Sequence, residues 1–244
     1  MSRITREVGG CHVPLAVVLV LVSVVPGRGE TLSELLGGVA AGARFATPAR
    51  AEVRIECAAG CPSAGGQAIL LGRDDTVYVE VKGGQRALLG PGRILVLEGG
   101  KPADAPAGTS FAGTDMLLED LAVFGPASLR MPQISDDGPA GVVVTAAPAG
   151  RSAYSLLVHT IDGDRHAIVR TLYYRDAINN LVKMRRDGAL AKVAGGWRPG
   201  EITVETVRQA TRTRLTLSWR EAGDVPAALF EPGGLEHPSG LRWP

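Results

Sequence analysis

Apolar residues recur along this chain with two distinct periods. Leu32, Leu35, Leu36, Val39 and Ala43 are spaced to share one face of an α-helix. Thr31 and Glu34 sit where a capping box would satisfy its first turn. Gly37, Gly38 and Gly42 fall inside that helix, where small residues permit close packing. After Pro48 the period drops to two: Val53, Ile55 and Cys57 alternate with Glu52, Arg54 and Glu56, and a Gly-containing turn returns the chain through residues 67–71. The same alternation predicts strands over 77–81, 86–89, 93–98, 142–145, 155–161, 166–174, 181–184, 201–207 and 214–219. Asp162-Gly163-Asp164 supplies a hairpin turn between two of them. In the last strand Leu215, Leu217 and Trp219 face one way and Arg214, Thr216 and Ser218 the other, as in a sheet wet on one side. A short helix is predicted over 116–121, capped by Thr114 or Asp115, and residues 99–108 read as a mobile loop.

About ten strands and two helices with no fixed repeat describe a mainly β (α+β) domain. Strand twist prevents an antiparallel sheet of that size from staying flat. The expected architecture is a curved antiparallel sheet forming a half-open barrel, covered by a few helices and enclosing an apolar hollow.

The amino end belongs to a different category. Arg3 and Arg6 precede an apolar run over 13–25, and Gly27-Arg28-Gly29 places small residues where a signal peptidase reads. The run falls short of the ~20 residues that span a bilayer. Residues 1–29 are therefore read as a secretory signal or an uncleaved anchor, and residues 30–244 as a single domain. Export changes the reading of the cysteines. Cys57 and Cys61 are close enough for a local structural disulfide; a redox pair normally has two intervening residues, and a metal site needs two further ligands.

Composition excludes more than it selects. With 26 Lys and Arg against 25 Asp and Glu, a net charge of +1 argues against a nucleic-acid partner. Gly108 to Gly113 has one residue too many for a Gly-x-Ser-x-Gly nucleophile elbow. His159, Asp162, Asp164 and His166 flank a hairpin turn whose chemistry accounts for the two aspartates. No catalytic constellation, metal site or cofactor site is predicted.

Four segments carry a family resemblance. Ser110-Phe-Ala-Gly-Thr-Asp-Met-Leu-Leu-Glu-Asp-Leu121 resembles the Ser-Phe-x-Gly-[Ser/Thr]-Asp-hydrophobic-x-x-Glu-Asp-Leu signature of the bacterial outer-membrane lipoprotein-sorting proteins, relatives of the periplasmic lipoprotein carriers. Arg170-Thr-Leu-Tyr-Tyr174, Gly196-Trp-Arg-Pro199 and Leu229-Phe-Glu-Pro232 are similar, in order, to that family's paired-tyrosine strand, Gly-x-Trp-x-Pro turn and closing Leu-Phe-x-Pro. The resemblance implies a periplasmic, non-enzymatic monomer that holds lipid or lipoprotein acyl chains in an apolar cavity, between an inner-membrane exporter and an outer-membrane acceptor. Its alternative is a sensor of lipidated proteins that signals to a protein partner. Candidate lining or gate residues are Phe111, Met116, Leu117, Leu118 and Leu121, with Tyr174 and Trp219 on the sheet. Met116, Leu117, Leu118 and Leu121 would equally serve as ordinary core, with Asp115, Glu119 and Asp120 as a cap and a solvated face.

Overall fold

A computed structural model describes residues 30–58, 65–176, 178–237, 239–240 and 243. The signal read over 1–29 and the Cys61 half of the expected disulfide lie outside these residues. Cys57 ends its strand with Sγ 3.2 Å from the Thr213 hydroxyl.

The chain opens with α1 (Leu32–Ala43), whose capping box forms: the Glu34 amide donates to Thr31 Oγ1 at 3.2 Å, and the Thr31 amide donates to Glu34 Oε2 at 2.7 Å. It passes straight into β1 (Phe45–Cys57), followed by β2 (Gly65–Asp74), β3 (Thr76–Val81), β4 (Arg86–Gly90), β5 (Arg93–Glu98) and β6 (Lys101–Asp104). A connecting segment with 3-10 turns at Leu118–Leu121 and Pro126–Ser128 leads to β7 (Leu129–Gly138), β8 (Gly141–Pro148), β9 (Leu156–Asp162), β10 (Ala167–Tyr174) and β11 (Leu181–Gly188). The hairpin β12 (Ala191–Val193) and β13 (Gly196–Arg198) precedes β14 (Glu201–Thr206) and β15 (Thr211–Glu221). Two further 3-10 turns, Ala227–Phe230 and Pro232–Glu236, close the fold.

Among the described residues, thirteen strands form one antiparallel sheet in the order β6-β5-β4-β3-β2-β1-β15-β14-β11-β10-β9-β8-β7. The sheet is not closed into a barrel: β6 and β7 remain edges. Its inner face carries the main core, from Val53, Leu70 and Val79 to Val204, Leu215 and Leu217. The expected alternation in β15 is present, with Leu215 and Leu217 buried and Arg214, Thr216 and Ser218 exposed. On the outer face of β2 to β5, Ile69, Leu71, Tyr78 and Leu88 are covered by Leu229 and Leu235 of the closing turns. That second cover makes residues 68–72 buried in succession, a pattern that amphipathic alternation does not anticipate. α1 packs Leu35, Leu36 and Val39 on Val142, Val144 and Ile161 of the other half of the sheet.

Five expectations are corrected. β1 starts at Phe45, ahead of Pro48, because the register is irregular between Phe45 and Ala49 and the missing proline amide costs no regular ladder bond. Residues 99–108 are not all loop: Gly99 and Gly100, both at positive φ, turn the chain into edge strand β6. Strand β7 was hidden by Pro132, two register shifts and Met131 at φ 50°. The hairpin of β12 and β13 has strands too short to show a period. The helix expected over 116–121 is only the 3-10 turn Leu118–Leu121, entered through a bridge between Ser110 and Leu117.

Candidate functional site

The connecting segment between β6 and β7 is held by its polar side chains. Ser110 Oγ donates to the Thr114 carbonyl at 2.6 Å and Thr114 Oγ1 to the Phe111 carbonyl at 2.8 Å, closing a turn through Gly113 at φ 70°. Gln85 clamps this turn from the sheet, donating to the Ser110 carbonyl at 2.7 Å and accepting from the Ala112 amide at 2.8 Å. Asp115 caps no helix. It accepts from the hydroxyls of Thr206, Thr211 and Thr213 on β14 and β15. Burial pushes its pKa up, but those three hydrogen bonds outweigh it and hold the carboxyl below its ordinary value.

Glu119 and Asp120 likewise face protein rather than solvent. Glu119 accepts from Ser152 Oγ at 2.5 Å, the Ala153 amide at 3.1 Å and the Gly108 amide at 3.3 Å. Asp120 is fully buried, pairs with Lys183 Nζ at 2.8 Å and accepts from the Tyr154 hydroxyl at 2.7 Å. Lys183 Nζ also reaches the Tyr154 hydroxyl at 2.8 Å. Burial, reinforced by Asp120, raises the Tyr154 pKa far out of range, so the phenol remains a donor. Arg185 donates to the Asp120 carbonyl and forms a two-pronged pair with Asp187, at 2.6 and 2.5 Å.

These anchors suspend the segment over the sheet's inner face without filling it. Between sheet, segment and α1 lies a cavity of about 570 Å³, within the roughly 300–1,000 Å³ range of ligand sites. Leu70, Val77, Ile202 and Leu217 form its floor, Leu118 and Leu121 its roof, and Val39 and Gly42 of α1 one side. Phe45, Phe124, Tyr154, Tyr173, Trp197 and Trp219 add aromatic wall. Residues from β2 to β10 share this one hollow, so the open sheet bends around it. Its exposed lining residues, among them Gly92, Arg93, Asp104, Pro106, Gly150 and Arg151, cluster where the two ends of the sheet approach each other and form the mouth.

Of the candidate residues, Leu118, Leu121 and Trp219 line the cavity. Trp219 packs against Phe45 with ring centroids 5.8 Å apart and donates to the Pro199 carbonyl at 3.0 Å. Phe111 and Met116 lie in the packed core. Leu117 is not among the lining residues, and neither is Tyr174: alternation along β10 turns Tyr173 inward and its neighbour away. The Tyr173 ring packs against Tyr154 with centroids 4.5 Å apart and planes tilted by 43°.

Two lining residues stand out chemically, and sequence patterning did not single out either for binding. His159 is buried; Nδ1 lies 3.0 Å from Thr171 Oγ1, while Nε2 has no hydrogen-bond partner among the described residues. Burial, with Arg185 nearby, pushes its pKa down to about 4. Arg198 is 7% exposed and donates to the carbonyls of Ala43 at 2.8 Å and Arg44 at 2.5 Å, at the end of α1. Its guanidinium lies 3.9 Å from the Phe45 ring centroid. Among the described residues, no group of three or more His, Cys, Asp or Glu is placed to hold a metal. Asp162 instead caps its turn by accepting from the Asp164 and Arg165 amides at 3.0 and 3.1 Å.

No family model matches the sequence, and no curated protein sequence matches it. Its fold does match solved structures. A DUF1329 family protein from Desulfovibrio piger superposes with a TM-score of 0.68 at 15% identity, over 83% of this chain and 98% of that one. An outer membrane lipoprotein-sorting protein domain from Vibrio parahaemolyticus gives 0.62 at 12% identity, over 84% and 97%. A LolA superfamily protein from Nitrosomonas europaea gives 0.63 at 16% identity, over 84% and 100%. The fold that the Ser110 to Leu121 resemblance implies is the fold found.

Proposed function

We propose that this protein is a periplasmic carrier. It buries acyl chains of lipids or lipidated proteins in the cavity between the sheet's inner face and α1, and delivers them toward the outer membrane. The observation that carries this reading is the hollow itself. An apolar floor and aromatic walls surround about 570 Å³ of space between the sheet's inner face, the connecting segment and α1. Each methylene moved from water into such a site gains about 0.8 kcal/mol, so a long chain is retained without chemical reaction. Release requires that part of the wall move, and the roof is a 3-10 turn held by side-chain hydrogen bonds rather than by a regular helix. Likeness to lipoprotein-sorting folds supports the same reading, as does the apolar amino-terminal run for export.

The test is to purify residues 30–244 and identify co-purifying lipid by mass spectrometry, with binding of a fluorescent fatty acid measured after delipidation. The expected results are acyl lipid in the purified protein and saturable binding that Leu217→Trp, a bulky side chain on the cavity floor, abolishes. Absence of both lipid and probe binding would remove the carrier reading.

A further inference from the structure

Charge inside the cavity wall is almost entirely compensated. Arg185 has Asp187, and Asp120 has Lys183. Glu119 is satisfied by a hydroxyl and two amides on the loop side of the wall. Arg198 is the exception: among the described residues it pairs with no carboxylate, and its Nε has no hydrogen-bond partner. Its two acceptors are carbonyls at the C-terminus of α1, where the last turn carries no basic residue of its own. A helix end offers roughly half a negative charge, so part of the guanidinium charge stays unbalanced in apolar surroundings, at an energetic cost. Burial accordingly pushes the Arg198 pKa down to about 10, still far enough above neutrality to keep it charged.

We infer that the cavity takes an acyl chain bearing an anionic head, a carboxylate or a phosphate monoester, and that Arg198 is the cation that receives the head. The inference rests on the carrier reading and narrows its ligand class. Arginine's planar fork suits either oxyanion, and a hydrogen bond to a charged partner strengthens where water is excluded. The Phe45 ring beneath the guanidinium and Trp219 against Phe45 leave apolar surface for the chain immediately beside the head.

Calorimetric titration of the delipidated protein at neutral pH with dodecanoate, dodecyl phosphate, dodecanol and inorganic phosphate tests this directly. The two dodecyl anions should bind at least about tenfold more tightly than dodecanol, and Arg198→Gln should shrink that preference to about twofold. Arg198→Lys, which keeps the charge, should retain most of the preference and covers the case in which the glutamine variant fails to fold. A preference for dodecanoate over dodecyl phosphate would assign the head to fatty acids, and the reverse to phosphate headgroups. Equal binding of dodecanol and the anions by the wild type overturns the inference and leaves the carrier reading intact. Survival of the preference in Arg198→Gln does the same. Phosphate binding as tightly as dodecyl phosphate would mean an anion site without a chain and also overturns it. Failure of every dodecyl compound to bind removes the carrier reading as well.

Discussion

Asp115 joins three threonines on two strands to a segment that has little regular structure of its own. Removing its carboxylate leaves buried Thr211 and Thr213 hydroxyls without their acceptor, at about 1–3 kcal/mol for each such group. Asp115→Ala should therefore lower the melting temperature by about 4–24 °C, at roughly 2–4 °C per kcal/mol for a chain of this size, as scanning calorimetry would measure. Asparagine, which keeps one acceptor oxygen, should cost less. His159 makes a prediction of opposite character, because its contribution depends on pH. Folded, it titrates near 4; unfolded, near 6.5. Between those values the unfolded chain binds the additional proton, so stability falls as pH is lowered through that window, by up to about 3 kcal/mol for this group. Urea unfolding at pH 7 and 5 should show wild type losing more stability than His159→Phe, whereas parallel losses would mean that His159 is not held neutral. At this scale the sequence was only partly legible. The motif acids 115, 119 and 120 were visible as a cluster, but their partners Thr211, Ser152 and Lys183 lie tens of residues away and only folding brings them together. Tyr173 and Tyr174 are equivalent by composition, and only the phase of β10 decides which one reaches the cavity.

Among the elements, legibility followed the strength of the period. α1 and the strands of alternating pattern were readable because each presents one face to a core. Strands β6 and β7 were not, and for the same reason that they are edges: Pro102 and Pro132 cannot donate to a ladder, and a strand that must resist further pairing carries such interruptions. α1 offers a paired test of how closely it is seated. A side chain at Gly37 would meet nothing within 4 Å, whereas a Cβ at Gly38 would lie 2.6 Å from the His166 ring. Gly37→Ala should thus stabilise the protein by up to about 1 kcal/mol through helix propensity, and Gly38→Ala should destabilise it by lifting the helix from His166. His166 is in turn tied to Glu30, ahead of the helix, at 2.9 Å. The same displacement would move Val39 and Gly42 in the cavity wall, so Gly38→Ala should also weaken fatty-acid binding while Gly37→Ala leaves it unchanged. Equal thermal shifts for the two variants would show that α1 is less tightly seated than its contacts indicate.

For the whole molecule, the open sheet matters more than any strand in it. A closed barrel of this strand number would have no edge and no lateral entrance; here the halves bearing β6 and β7 come together without pairing. They meet where a Cβ built on Gly125 would lie 3.1 Å from Pro91 Cβ and one on Gly150 3.8 Å from the Gly92 carbonyl, and the cavity's exposed residues gather around that seam, from Gly92 and Arg93 to Gly150 and Arg151. If chains enter there, the halves must part to admit them. A disulfide needs Cβ atoms about 3.5–4.5 Å apart, a distance that small adjustments at the seam supply, so Pro91→Cys with Gly125→Cys should cross-link when oxidised. The oxidised protein should take up a fluorescent fatty acid markedly more slowly than the reduced one in stopped-flow mixing, with wild-type rates restored by reductant and neither single cysteine variant affected. The equilibrium affinity, set by floor and walls that the cross-link does not touch, should change little. Uptake that is equally fast in the oxidised state would place the entrance away from the seam, and the sheet's two unpaired edges would then be a matter of how the sheet stops rather than of how its cargo enters.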